Sequence, residues 1–351
     1  MSKLGIGVLG WAHGHVGSYA GLIKNFDDAE IVMAWDHDEA RGQRCAESFG
    51  GGYSPDPADV LDNPDVKLVI IGAETNRHPE MCVAAANAGK DIILQKPMAL
   101  SSEGCDAIIE AVEESGVFFS LAFQMRYDPC NIRMKQMCEA GELGRVGIIR
   151  RRHCLNLLFN ESFFTGGTAW HVDPEQNMGM FMDDASHATD WLYWMLGAPV
   201  SVMAEIDNIL TSVAPDDTGL AMYRFADGAL GYVLNSSVVW TSESTTEIYG
   251  SRGVLVQNHG DGPSSGPLPP NPIHLKYYDS QDKEAGWQDL NEPLPPTGHG
   301  WRIQNVIRNM LDEYAEGKVQ VSARDGKIST EMILGAYQSA ADGRRIELPL
   351  T

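Results

Sequence analysis

The ten residues MDDASHATDW (182–191) carry three aspartates and a histidine. Aspartate and histidine are the usual ligands of a catalytic metal, and equally the usual partners in proton transfer. On a helix, Asp183 and His187 share one face, as do His187 and Asp190, while Asp184 sits one step off it and reads as a helix-end or supporting group. Upstream, an apolar run ends in Gln95-Lys96-Pro97. A lysine at the end of a buried strand is costly unless it is paired or used. The following proline restricts Lys96 to an extended backbone, which helps fix where its side chain points.

A second constellation lies in VLGWAHGHVGSY (8–19). A dinucleotide fingerprint places Gly-x-Gly-x-x-Gly at a strand-to-helix turn, so that backbone amides and a helix N-terminus meet a pyrophosphate. Gly10 fits, Ala12 takes the second glycine's place, His15 takes the third's, and Gly14 lies one position early, next to His13. An ordinary strand-to-helix turn is the alternative. Asp36 ends the second strand candidate, where a carboxylate can accept both ribose hydroxyls of an adenosine and would repel a 2′-phosphate. NAD is therefore expected over NADP, with a helix cap as the other role for Asp36. In ETNRHPEM (74–81), Thr75, Asn76 and His78 could contact a cofactor or simply start a helix.

Something must bring these residues together. Residues 4–9, 30–35, 66–72, 91–95 and 117–123 read as strands without polar alternation, with helical periods at 15–25, 39–48, 78–88 and 102–115 between them. That grammar predicts a parallel, doubly wound α/β domain over 1–123. From residue 124 to 351 it changes. A helix near 128–140 precedes a strand at RVGIIRRRHCLNL, a helix spans about 180–196, and strand-like runs follow, joined in one case by the hairpin step Asp227-Gly228. An α+β domain with an open, largely antiparallel sheet is expected, with Pro/Gly-rich loops at 260–272 and 291–298. Helices are expected at about 300–316 and 325–342, the last able to pack back on the first domain. No internal repeat is visible.

The 351 residues suffice for two cores. A formal charge of -22 disfavours nucleic acid and anionic membranes as partners. No apolar run reaches the ~18 residues of a membrane helix, and the first residues show no secretory pattern, so the cytoplasm is the expected compartment. Six scattered cysteines without a Cys-x-x-Cys pair speak against a disulfide framework or structural zinc.

Taken in order, several segments resemble the Gfo/Idh/MocA oxidoreductases, the glucose–fructose oxidoreductase and inositol dehydrogenase family. These are Thr75-Asn76-x-His78, Gln95-Lys96-Pro97, FQMRYDP (123–129) with GELGRV (141–146), Trp170 with Gly179 and the Asp183…His187…Asp190 helix, and the final AYQSAADGRRIEL. The resemblance implies a Rossmann domain, a C-terminal α/β domain, and NAD(P)-linked oxidation or reduction of sugars or cyclitols. It further implies homodimers or homotetramers joined through the open sheet. It assigns the chemistry to Lys96, Asp183 and His187. His187 is expected as general base, its neutral imidazole suiting neutral pH, with Lys96 and Asp183 orienting the hydroxyl. Asp190 would orient His187 or bond elsewhere in the domain. Arg126, Tyr127, His153, Trp170 and His171 are candidate substrate contacts, and Gln95 joins Lys96 on the cofactor side. Three departures stand out: the altered glycine loop, Gln95 where glutamate is usual, and His171 where arginine commonly follows the tryptophan. Alternatives are a redox-neutral lyase or glycoside-cleaving enzyme working through a 3-keto intermediate, and a non-catalytic dinucleotide-binding sensor. No metal is expected, because Lys96 would oppose a divalent cation beside Asp183 and His187.

Overall fold

A computed structural model describes residues 3–241, 245–258, 274–292 and 298–350. The loop 260–272 and most of 291–298 lie outside the described residues. The first part alternates β1 (Leu4–Leu9), α1 (Gly14–Ile23), β2 (Ala29–Trp35), α2 (Glu39–Phe49), β3 (Gly52–Tyr53), α3 (Pro57–Leu61), β4 (Leu68–Ile71), α4 (His78–Asn87), β5 (Asp91–Leu94), α5 (Ser102–Ser115) and β6 (Phe119–Leu121). The strands are all parallel, in the order β3-β2-β1-β4-β5-β6. Strands β1, β4 and β5 are buried nearly end to end, because both faces of the sheet are covered. In this order the chain reverses direction between β1 and β4, which opens a crevice at their carboxyl ends. The elements β3 and α3 were not expected from the sequence; at two and five residues they are too short to show a period.

The second part begins with α6 (Pro129–Glu139), β7 (Val146–Cys154), the short α7 (Glu161–Thr165) and α8 (Pro174–Asn177), and α9 (Met180–Leu196). Next come β8 (Pro199–Asp207), β9 (Thr218–Phe225), β10 (Leu230–Ser236), β11 (Thr246–Gly250), β12 (Gly253–Gln257), β13 (Leu275–Asp279) and β14 (Trp287–Asp289). The chain closes with α10 (Gly298–Glu316), α11 (Ala323–Asp342) and β15 (Ile346–Glu347). The sheet runs β14-β13-β12-β11-β7-β10-β9-β8-β15, antiparallel except where β7 lies parallel to β10. Its inner face, carrying Val202, Ala221, Tyr223 and Val233, packs on Phe181, Ala188, Trp191 and Leu192 of α9 and on Met332, Ile333 and Ala336 of α11. Gly231 lets α9 lie close, since a Cβ there would stand 2.7 Å from the Leu192 side chain. The outer face keeps Ile148, Met203, Leu220, Met222, Tyr249 and Trp287 exposed.

Two late helices bind the halves together. Val306, Ile307, Met310 and Leu311 of α10 join Ile6, Val8, Leu68 and Ile70 of the parallel sheet and Tyr19, Ala20 and Ile23 of α1 in one core cluster. Helix α11 starts from a capping box, Ser322 with Asp325, and packs on β8 and α9 while touching α5. Arg126 ties the domain crossing to α9 and to the turn between α10 and α11, with bonds to Asp190 at 2.6 and 3.0 Å and to the Gln320 carbonyl at 3.0 Å. Among the described residues, no helix is long and apolar enough to cross a membrane.

Candidate active site

Helix α9 is wedged between its own sheet and the first domain, so every residue from Met180 to Leu192 is buried. Its first two turns carry Asp183 and His187 to the carboxyl end of β5, where Lys96 emerges. The Lys96 ammonium lies 2.7 Å from Asp183 Oδ1 and donates also to the Asp183 carbonyl at 3.3 Å. The other carboxylate oxygen, Oδ2, stands 3.5 Å from His171 Nε2, and His171 Nδ1 meets the Thr168 carbonyl at 2.9 Å. A cavity of about 280 Å³ opens beside this pair, lined by His13, His15, His153, His171 and His187 together with Asp183, Asp184 and Lys96. Half of the chain's ten histidines thus surround one hollow. The His187 ring lies 5.3 Å from that of His153 and 6.4 Å from that of His15.

Charge is unevenly distributed here. Burial pushes the Asp183 carboxyl up, but the Lys96 ammonium and His171 outweigh it and hold the group below its usual value. Asp184 accepts from the Ser237 hydroxyl at 3.0 Å and feels only a weaker pull from His153 and Lys96. Burial and then the Asp183 charge push it up to about 6. His13 and His171 are both held below the ordinary histidine range, chiefly by burial, and are neutral at neutral pH.

On the cofactor side, Gly10 has a φ of 89°, and a Cβ on it would lie 2.6 Å from the Ala73 backbone, so only glycine permits the β1 and β4 turns to touch. Gly14, first in α1, has open space where a Cβ would be and lines the cavity. A helix N-terminus opening on the crevice at the ends of β1 and β4 fits a dinucleotide phosphate. Three loop features depart from a plain glycine turn. His13 caps α1 through Nδ1, which takes the His15 amide at 3.3 Å. The His13 amide donates to the Gly72 carbonyl at 2.9 Å, and the Trp170 indole donates to the Ala12 carbonyl at 3.2 Å.

Several expected contacts are placed otherwise. Asp36 does stand at the end of β2, but its oxygens already receive the amides of Trp11 and Asp38 and two guanidinium N–H groups of Arg41. A ribose diol must therefore exchange with Arg41. His78 is fully buried, spanning the Pro97 and Ala73 carbonyls at 2.9 and 3.2 Å, so it fastens two strand ends together. Thr75 bonds to Asn177 and Gln95 to the Tyr19 hydroxyl, both buried, while Asn76 is exposed. Arg126 and Tyr127 turn away from the cavity, Arg126 to Asp190 and Tyr127 to Glu313 at 3.0 Å. Asp190 is accordingly held by Arg126, a bond elsewhere in the domain. Trp170 is buried with its ring centroid 3.7 Å from that of His171, a packing role behind the cavity wall. Asp184 is no helix-end group: it lines the cavity beside Asp183. Arg41, Thr168 and Asn177 escaped the sequence reading. Arg41 was within reach of it, five residues past Asp36; Asn177 was not, lying 102 residues from Thr75.

Residues 4–123 match the model of the oxidoreductase family with an NAD-binding Rossmann fold, and residues 132–256 match the GFO/IDH/MocA C-terminal domain. The chain is 28% identical to scyllo-inositol 2-dehydrogenase (NAD(+)) of Bacillus subtilis over 72% of its own length and 71% of the relative's. It is 26% identical to levoglucosan dehydrogenase of Pseudarthrobacter phenanthrenivorans, with 99% of each covered. A solved structure of levoglucosan dehydrogenase in complex with NADH superposes with a TM-score of 0.84 over the full length of both chains, at 22% identity. With its two halves matched in order by the two domains of one family, the chain belongs to the GFO/IDH/MocA oxidoreductases and is an NAD-dependent oxidoreductase.

Proposed function

We propose that this chain oxidises a secondary alcohol of a cyclitol or monosaccharide derivative, or reduces the corresponding ketone, at the cavity between Lys96 and His187. The observation that carries the reading is the ion pair between Lys96 and Asp183, made across the domain boundary and one helical turn from His187. A buried charged pair is a poor source of stability, so its place at the end of β5 is better explained by chemistry. The bound nicotinamide supplies a hydride acceptor or donor; the protein supplies the proton transfer. His187 takes the hydroxyl proton as general base. The Lys96 ammonium stabilises the developing alkoxide, and the Asp183 carboxylate, kept ionised by Lys96, holds that ammonium in position. Gly10 and Gly14 would hold the dinucleotide phosphates, and Asp36 the ribose once Arg41 yields.

The cavity volume, about 280 Å³, is at the lower edge of small-molecule sites, which run from roughly 300 to 1,000 Å³. It suits one ring better than an oligosaccharide. Inositol and levoglucosan, named for the relatives, are single-ring compounds of this size class. The exposed apolar outer face of the second sheet supports a homodimer or homotetramer.

Lys96→Ala and His187→Ala should each lower turnover of a responsive polyol by at least about 100-fold, while NADH binding, followed by its fluorescence, stays measurable. Turnover near wild type in both variants would overturn the assignment. Product release without net NADH would instead favour the redox-neutral lyase alternative.

A further inference from the structure

One oxygen of Asp183 holds the Lys96 ammonium, while the other stands 3.5 Å from His171 Nε2. A ring nitrogen of His13, a ring nitrogen of His171 and a carboxylate oxygen of Asp183 all lie within 4.8 Å of one another, and all three side chains are buried. They come from three separate segments: the β1–α1 turn, the turn before α8, and α9. His13 Nε2 is buried without a hydrogen-bond partner, on a side chain only 3% exposed that lines the cavity. The His171 ring is already oriented as a ligand would be, with Nδ1 on the Thr168 carbonyl and Nε2 directed at Asp183.

We propose that His13, His171 and Asp183 form a binding site for a divalent transition-metal ion of the zinc class, with its remaining position open to the cavity. Two imidazoles and a carboxylate are the donor set of zinc sites that keep one position free. Calcium and magnesium call for six or more, mainly oxygen, ligands, which this site lacks. Ligand atoms about 2.0–2.2 Å from a tetrahedral ion lie roughly 3.4 Å apart; His171 Nε2 and Asp183 Oδ2 already stand 3.5 Å apart, so it is His13 that must draw in, by about 1 Å. Ligation through Nε2 requires the His13 proton on Nδ1, which exchanges the long 3.3 Å bond from the His15 amide for a metal bond. Lys96 stays on the opposite oxygen of Asp183 and tempers the affinity without occupying the ligand atom. An ion here shares the Asp183 charge that holds the Lys96 ammonium, loosens that hold and inhibits; this last clause rests on the proposed function, whereas the binding itself does not.

The test uses the full chain freed of metal with a chelator and titrated with Zn²⁺ by calorimetry, then with Co²⁺ by visible absorption. One ion per chain is expected, with Co²⁺ bands of a four-coordinate nitrogen and oxygen site, and Mg²⁺ in excess should not displace it. His13→Asn and His171→Asn should each weaken Zn²⁺ binding at least about tenfold. Asparagine is itself a good helix cap, so His13→Asn keeps α1 intact. His37→Asn, outside the cluster, should bind as wild type does. Absence of stoichiometric Zn²⁺ binding, or wild-type affinity in both His13→Asn and His171→Asn, would overturn the site. Binding that His13→Asn abolishes but that leaves polyol oxidation unaffected would uphold the site and count against Asp183 in the relay.

Discussion

Asp183 and Asp184 are adjacent in the chain yet titrate in opposite directions. The Lys96 ammonium holds one below the usual carboxylate value, while burial and its neighbour's charge push the other up to about 6. A carboxyl with a raised folded-state pKa binds its proton more tightly when folded than when unfolded. Its stabilising contribution is complete below the unfolded value, about 3.9, and is lost as pH rises through about 6. Asp184→Asn keeps an oxygen for the Ser237 hydroxyl and has no charge to bury. The variant should therefore gain stability relative to wild type between pH 4 and pH 8, by on the order of 2 kcal/mol; denaturant titrations at the two pH values measure it. An unchanged difference would show that folding does not raise the Asp184 carboxyl. The sequence made Asp183, His187 and Lys96 readable because helical spacing and a strand-end lysine are local signals. Asp184 was misplaced because the one-face argument assumes a helix with a solvent side. Helix α9 has partners all round, so a step of 100° still leads into the cavity.

At the scale of elements, the domain crossing is held by one buried clamp. Arg126 and Asp190 form a bidentate pair with almost no exposure, and burial raises the Asp190 carboxyl while Arg126 only partly offsets it. Arg126→Ala leaves that carboxylate alone in the interior and should cost about 3–5 kcal/mol. The double variant with Asp190→Ala should recover part of the loss, a non-additivity that urea denaturation of the four proteins resolves. Additive losses would mean that the two side chains act separately. The long elements were legible because burial on both faces, or strict alternation as in β9, writes itself into six to nine consecutive residues. The strands β3, β13, β14 and β15 run for only two to five residues. They sit at or near sheet edges, where the neighbour's register defines them more than their own pattern.

At the scale of the whole molecule, the outer face of the second sheet presents, among the described residues, apolar rows to solvent, interrupted by the Arg150–Glu247 ion pair. Registry across the second sheet aligns Met203, Met222 and Tyr232 in one outward row, and Leu230, Ile148, Tyr249, Val254, Tyr278 and Trp287 in another. On a chain charged to -22, a face of this kind supports the proposed homo-oligomer. Met222→Glu, well away from the cavity, should shift the protein from a homo-oligomer to a monomer in light scattering behind size exclusion. A wild type that runs as a monomer would refute the assembly. The same scale reveals how α10 closes the first core. The parallel sheet is assembled from the first 121 residues, yet one of its flanks is covered only in part, by α1, until Val306 to Leu311 arrive. On a ribosome adding about 5–20 residues per second, that flank waits roughly 10–40 s after β6 has been made. The nucleotide half, although first out of the exit tunnel, is thus among the last parts to finish folding, and its newly made sheet needs shelter for as long as the rest of the chain takes to follow.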